Sequence, residues 1–332
     1  MTDLDIQRAK RIIEQTITQL DVDLSGYTIL TEVGSNLFAY TPIIAALCKA
    51  SKVYAWTGDS AYGKASSNVD VCKKIMKSFD IPNIIEFAEN ERPDQHIKNA
   101  DIITNLGFVR PLNETFFKLI KPNAVITAMC EAWEVREQDI DLAYCKQNNI
   151  LVAGTWENYP PLEIFNFCGP LAIKMAQEGG YEVFKNRILV WSEDMFGKTI
   201  SAAFKNFGAS KVISTTNVNV LYENANDIDF VFLCDYHQQN TLLGENGIIN
   251  ALKIKELNPA CSFIHLYGKL DSNWLDSHKV SHYPKKNGFQ STMSFTLSHL
   301  GPLPILNLHI AGLKVAECLK KGITHKIIQK IC

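Results

Sequence analysis

Ten short apolar runs alternate with helix-patterned segments along most of this 332-residue chain, and that alternation restricts the fold more than any other feature. The runs are 27–33 (YTILTEV), 52–56 (KVYAW), 84–87, 101–105 (DIITN), 124–128 (AVITA), 150–153 (ILVA), 187–191 (RILVW), 211–215 (KVIST), 229–234 (DFVFLC) and 261–266 (CSFIHL). They are rich in Ile, Val, Phe and Tyr, and mostly continuous rather than alternating in polarity. A strand covered on both faces has no reason to alternate, so such runs mark parallel sheets lying between helices. Helical segments between them include 41–50, 69–79, 112–120, 137–148 and 198–207. The order predicts an α/β protein.

A chain of 332 residues exceeds one ordinary domain, and about two are expected. The boundary falls at the apolar helix 162–178 (LEIFNFCGPLAIKMAQE), which Gly179 and Gly180 end before a new strand starts at Arg187. A second long helix, 303–321, follows the last strand region. Two long helices flanking one α/β lobe predict a discontinuous arrangement, with residues 1–180 plus 301–332 in the first lobe and 181–300 in the second.

Hydrophobic content of 46% and charged content of 20% suit a globular protein with a full core. A formal net charge of −2 and the lack of basic stripes argue against a nucleic-acid partner. The N-terminal segment MTDLDIQRAKRIIEQTITQL reads as a charged amphipathic helix rather than a signal peptide, and no run approaches the roughly 18 apolar residues that span a bilayer. The expected location is cytoplasmic, with no membrane partner. Nine scattered cysteines (48, 72, 130, 145, 168, 234, 261, 318 and 332) include no CxxC pair and no metal-spaced His, so reduced thiols and no metal are expected.

Several segments together resemble the D-isomer-specific 2-hydroxyacid dehydrogenase family, which includes formate and phosphoglycerate dehydrogenases. ADIITNLGFVRPLNETFFKLIKPNAVITAMCEAWEVREQDIDLAYCKQNNILVAGT (100–155) is similar to the sequence before that family's linker helix. Residues 187–217 match its first strand–turn–helix–strand layout, and DIDFVFLCDYHQQNTLLGENGIINALKIKELNPACSFIHLYG (227–268) follows the next stretch. FTLSHLGPLPILNLHIAGLKVAECLKKG resembles the family's closing His motif and helix. Order and spacing over roughly 100–320 carry the resemblance. It implies two Rossmann/flavodoxin-like lobes with parallel sheets, the second inserted in the first and joined by two long helices. It also implies NAD or NADP, a small 2-hydroxy or 2-oxo acid as substrate, and a homodimer.

The dinucleotide turn departs from that pattern. A Rossmann site needs glycines where backbone touches pyrophosphate, and an acid after the next strand for the ribose. The cofactor-facing positions here are Ser192, Asp194, Met195, Phe196, Gly197 and, after the second strand, Thr215. Only Gly197 keeps its glycine; Ser192 and Asp194 replace the first two, and Glu193 adds a further charge. At an effective dielectric of ~20, two like charges ~4 Å apart cost about 4 kcal/mol. Ser214-Thr215-Thr216-Asn217 offers neither the acid that suits NAD nor an Arg or Lys for a 2′-phosphate.

The resemblance implies a catalytic Arg, Glu and His. His299, in LSHLG, falls on the His, suited to proton exchange near neutral pH. The alternative for it is a helix-entry residue, and His309 is expected to pack inside its helix. The family's Arg position is taken by Tyr267, with Lys269 the nearest cation, and no Glu is evident in HKVSHYPKKNGFQST. In the first lobe, Cys130, Glu131 and Trp133 occupy the loop where the family presents backbone to substrate, which suits a cationic or aromatic ligand as readily as it suits a plain surface loop. Arg110 lies in the loop 105–111 after another strand, as the best-placed cation for an anionic substrate, and Trp156 and Asn158 precede the linker helix; all are expected near substrate. Glu32-Val33-Gly34-Ser35-Asn36 is similar to the E-x-G-x-G turn of methyltransferases that bind S-adenosylmethionine, without its second glycine, and equally fits a helix cap. Thr57–Lys64 is a further strand-end loop. Three functions stay open: an NAD(P)-dependent oxidoreductase with atypical contacts, a non-redox enzyme or binding protein on the same scaffold, or a noncatalytic subunit that pairs through its second lobe.

Overall fold

The computed structural model describes residues 2–332. The chain divides into two compact units, Met1–Ile164 with Gly301–Cys332, and Phe165–Leu300 inserted between them. In chain order the first unit contains α1 (Asp3–Leu20), β1 (Thr28–Glu32), α2 (Thr41–Leu47), β2 (Lys52–Thr57), α3 (Ala65–Ser78), β3 (Ile85–Glu89), α4 (Asp94–Asn99), β4 (Ile102–Thr104), α5 (Glu114–Phe117), β5 (Val125–Thr127), α6 (Leu142–Gln147) and β6 (Leu151–Thr155). The second contains α7 (Cys168–Glu178), β7 (Arg187–Trp191), α8 (Met195–Asn206), β8 (Lys211–Ser214), α9 (Val218–Asn224), β9 (Phe230–Cys234), β10 (Thr241–Leu243), α10 (Ala251–Leu257), β11 (Ser262–Tyr267), β12 (Lys269–Leu270), α11 (Ser272–Ser277) and β13 (His282–Tyr283). The chain then returns to the first unit with α12 (Pro302–Lys321) and β14 (Ile328–Lys330).

The first unit's sheet runs β14-β6-β5-β4-β1-β2-β3 and the second unit's β13-β11-β9-β7-β8. Every pairing in these two sheets is parallel except β14 with β6. The continuous apolar runs account for this: all five residues of β9 and all six of β11 are buried, as strands need when helices cover both faces. Strand order reverses between β1 and β4 in one sheet and between β7 and β9 in the other, which fixes where loops part to leave a crevice.

The first break between units falls near Phe165 rather than at residue 180, because α7 belongs with the second unit. Cys168, Leu171, Ala172, Met175 and Ala176 join Ile188, Phe204 and Phe230 in one buried cluster. Gly169 lies where a Cβ would meet the Ala203 side chain of α8.

Helix α12 is the core helix of the first unit, and its buried polar groups are all matched. Asn307 accepts from Thr16 (2.8 Å), and His309 Nδ1 meets Thr41 Oγ1 (3.0 Å). Lys314 donates to the Asp21 carbonyl (2.6 Å) and to Glu317 (3.0 Å). Burial pushes His309 down to about 4, so it stays neutral. Among the described residues no helix is long and apolar enough to cross a membrane.

Gly154, inside β6, lies against the backbone of residues 130–132: an added Cβ would sit 2.6 Å from the Ala132 amide nitrogen. Gly154→Ala should therefore cost about 1–3 kcal/mol of stability, and a thermal melt should shift down by roughly 2–4 °C for each of those. An unchanged melting temperature would show that this backbone yields freely.

Candidate functional site

At the C-terminal ends of the first unit's strands, polar groups are held by one another across loops. Glu32 ends β1 at the switch point, buried, and accepts the Phe108 amide (3.0 Å). Burial raises its carboxyl above the ordinary value, against the pull of the Phe108 and Gly107 amides and the Arg110 charge. Asn105 follows β4; its Oδ1 accepts the Met129 amide (2.8 Å) and its amide group points to Cys130 Sγ (3.8 Å). Arg110 is paired to Asp139 (2.7 Å), so its charge is already answered within the unit.

The loop after β5 is tied down by Glu131, which is buried. Its Oε1 accepts the Glu157 amide (3.0 Å) and its Oε2 the Trp133 indole (2.5 Å), while its own amide donates to Glu134 (3.0 Å). The Ala132 amide donates to Gln329 of β14 (2.7 Å). Three carboxylates thus gather on two neighbouring loops. Burial, and then the charges of Glu134 and Glu131, raise Glu157 well above its ordinary value; Glu134 is raised too, by burial first. Trp133 keeps 39% exposure beside them. Burial pushes the Cys130 thiol up to about 12, which leaves it a poor nucleophile. Trp156 packs near Tyr159 (ring centroids 6.1 Å), and Asn158 is exposed.

So the structure brings Cys130, Glu131, Trp133 and Trp156 onto adjoining loops and adds Glu134 and Glu157, whereas Arg110 is turned to Asp139. Of the other two strand-end loops, one caps a helix with a side chain and one does not. Asp59 accepts the Ala65 amide at the start of α3 (3.0 Å) and pairs with Lys64 (2.5 Å); Ser35 precedes a short 3₁₀ turn but makes no side-chain cap.

In the second unit the turn after β7 is closed by its own side chains. Asp194 is the N-cap of α8, and its Oδ1 accepts from the Phe196 amide (2.8 Å), the Gly197 amide (3.1 Å) and Ser192 Oγ (2.6 Å). Its Oδ2 accepts the Tyr236 amide from the loop after β9 (3.2 Å). These amides are the donors that a dinucleotide pyrophosphate takes at a helix N-terminus. Ser192 is fully buried, and its carbonyl accepts Ser214 Oγ (2.6 Å). Asp235, one residue past the end of β9, is raised by burial and then by the Asp194 charge, which places a second carboxylate near the turn.

Phe196 stands against Tyr267 (4.6 Å), Phe165 (4.6 Å) and Tyr236 (5.7 Å), so Tyr267 serves an aromatic cluster. Met195 is 40% exposed, and Gly197 lacks room for a Cβ because the Ser192 carbonyl lies against it. Thr215 Oγ1 accepts the Asn217 amide (3.0 Å) where a ribose-binding acid would stand. Lys269 is half-buried on β12. The residues present do not fit a dinucleotide in the ordinary pose.

His299 has a partner that the sequence did not reveal. Its Nε2 lies 2.7 Å from Oε2 of Glu178, near the end of α7, and the same oxygen accepts the Tyr283 hydroxyl (2.8 Å). Phe295 stacks on the imidazole (centroids 4.2 Å), and Lys174 donates to the His299 carbonyl (2.7 Å). Burial acts to raise Glu178, but the bonds from His299 and Tyr283 outweigh it and leave the carboxyl below its ordinary value. Tyr283 is pushed up to about 12 by burial and by Glu178. A His held by a carboxylate is an arrangement able to exchange protons. Among the described residues no group of three or more His, Cys, Asp or Glu is placed to hold a metal ion.

A depressed carboxyl stabilises the fold above its unfolded value, and that stability is lost as pH falls through the folded one. Glu178→Gln should therefore melt below the wild type at neutral pH, and the gap should close below about pH 4. A gap that stays constant across pH would mean that the charge on Glu178 contributes nothing.

No protein-family model and no curated protein sequence matches this chain. Solved structures do. The chain is similar over 91% of its length to a dipicolinate synthase subunit from Bacillus halodurans, at 12% identity, covering 99% of that protein with a TM-score of 0.54. It is similar to the corresponding dipicolinate synthase polypeptide from Bacillus subtilis at 14% identity, covering 91% of this chain and 97% of that one with a TM-score of 0.51. For D-2-hydroxyisocaproate dehydrogenase the values are 15% identity, 92% and 99% coverage, and a TM-score of 0.50. At such identities the likeness is one of fold: this chain has the α/β architecture of the D-2-hydroxyacid dehydrogenases.

Proposed function

We propose that this protein is a non-redox, small-molecule-binding protein or enzyme on a dehydrogenase-like scaffold, and that its ligand seat is the loop set after β5 and β6. The ligand of this reading carries a positive charge beside an aromatic or apolar face. The observation that carries the reading is Asp194: its carboxylate takes the amides a pyrophosphate needs. Displacing it means breaking four hydrogen bonds and bringing like charges together, at about 4 kcal/mol for the charge term alone. That is roughly a thousandfold in affinity, enough to carry a micromolar site into the millimolar range.

The cationic preference is supported by Glu131, Glu134 and Glu157, which crowd together beside Trp133 with two of the three raised. A bound cation would relieve that repulsion, and an indole face attracts cations in its own right.

One observation favours the second reading, an oxidoreductase acting on a small 2-hydroxy or 2-oxo acid with NAD or NADP in an altered pose. It is the His299–Glu178 pair: His299 falls on the His to which the resemblance assigns proton exchange, and it has a carboxylate partner as that role requires. Calorimetric titration with NADH and NADPH separates the two. The non-redox reading predicts no saturable binding at micromolar nucleotide, whereas micromolar saturable binding of either would replace it with the oxidoreductase.

The crowded carboxylates also give a stability test. A carboxyl raised in the folded state holds its proton more tightly than the unfolded chain does, so stability falls as pH rises towards the folded value. Glu157→Gln removes that penalty. The variant should melt above the wild type at pH 7–8 and show a flatter pH profile. A variant less stable than the wild type at every pH would mean that Glu157 is a structural acceptor, and that no repulsion is stored there for a ligand to relieve.

A further inference from the structure

The disagreement between the fold and a dinucleotide has a specific form at the β7–α8 turn. Four donors from two loops converge on one point: the amides of Phe196 and Gly197, the Ser192 hydroxyl and the Tyr236 amide. Tyr236 lies 42 residues away from Asp194 in sequence, in the loop across the switch point between β7 and β9. A side chain serving only as a helix cap needs one or two amides of its own helix. Asp194 does more than that, because its second oxygen closes the gap to the neighbouring strand's loop, where a bound oxyanion would bridge the same two elements.

We propose that Asp194 is a built-in oxyanion: its carboxylate replaces a ligand phosphate in a cradle that the chain otherwise retains. A tethered anion acts at an effective concentration of millimolar or more, so free phosphate or a nucleotide competes poorly with it. Retention of Gly197, which has no room for a Cβ against the Ser192 carbonyl, keeps the helix start close to the strand and the amides aimed at one point. The cradle is thus preorganised with its anion supplied internally. The second unit gains the rigidity that a bound dinucleotide would give such a turn, and it needs no ligand to do so.

The proposal does not rest on the ligand reading of the first unit, and it is tested separately. The probe is inorganic phosphate, with chloride at matched ionic strength as control, read as the melting temperature of the full chain. Wild type should respond to both salts alike. Asp194→Gly removes the carboxylate and the Cβ but leaves all four donors, so it should melt several degrees lower in chloride and recover at least half of that loss in tens of millimolar phosphate. Asp194→Asn keeps an acceptor at Oδ1 and keeps the cradle filled, but its amide nitrogen meets the Tyr236 amide where Oδ2 accepted, so it should melt below wild type without a phosphate-specific gain. If Asp194→Gly fails to fold in chloride, phosphate should restore its folded circular dichroism signal. The proposal is overturned by an Asp194→Gly variant that gains nothing from phosphate over chloride, folded or not. It is equally overturned by an Asp194→Asn variant that gains as much as Asp194→Gly, since vacancy of the cradle would then be irrelevant.

Discussion

The carboxylate of Asp194 joins three pieces of the second unit that would otherwise end as open backbone: the end of β7, the first turn of α8 and the loop leaving β9. Buried backbone donors have to be satisfied, and in dinucleotide enzymes the ligand satisfies several of them. Once a side chain does so, the aromatic cluster of Phe196, Tyr236 and Tyr267 can close over the turn with the Phe196, Gly197 and Tyr236 amides paired. The surrounding sheet does not depend on the turn, since its strands are specified by continuous buried apolar sequence. The likeness to solved structures at 12–15% identity is accordingly one of these sheets and helices, and it does not extend to the side chains of the turn.

Much of the fold was legible because parallel strands write themselves as local apolar runs. Each of the ten expected runs contains or overlaps a strand, and the expected 187–191 coincides with β7. What was not legible was either very short or decided by packing elsewhere. Strands β10, β12, β13 and β14 have only two or three residues and, unlike the equally short β4 and β5, lie in no longer apolar run. The helix expected over 137–148 shrinks to α6, because residues 136–140 form turns and the Asp141 side chain caps the helix at Tyr144. The domain boundary moved because the apolar face of helix 162–178 fits two alternatives equally well from sequence, and only the cluster around Phe204 and Phe230 selects the second unit.

The candidate sites divide along the same line. That Asp194 stands where a glycine belongs is a local fact, visible in seven residues. That it also reaches Tyr236 is not. Glu178 looks like half of an exposed i,i+4 pair with Lys174, and nothing in its neighbourhood announces His299, 121 residues away. Arg110 differs from its expectation for a similar reason: a cation at a strand end looks available until Asp139 is found beside it. Cys130 stood out in sequence among the nine thiols, but burial, which sequence does not report, keeps it protonated.

The central claim is that the place of a pyrophosphate is already filled from within. A crystal structure of the protein grown with millimolar NADH tests it most directly. The account predicts the Asp194 carboxylate still bonded to the Phe196, Gly197 and Tyr236 amides, with no dinucleotide across residues 192–197. A pyrophosphate resting on those amides, with Asp194 turned away, would contradict it.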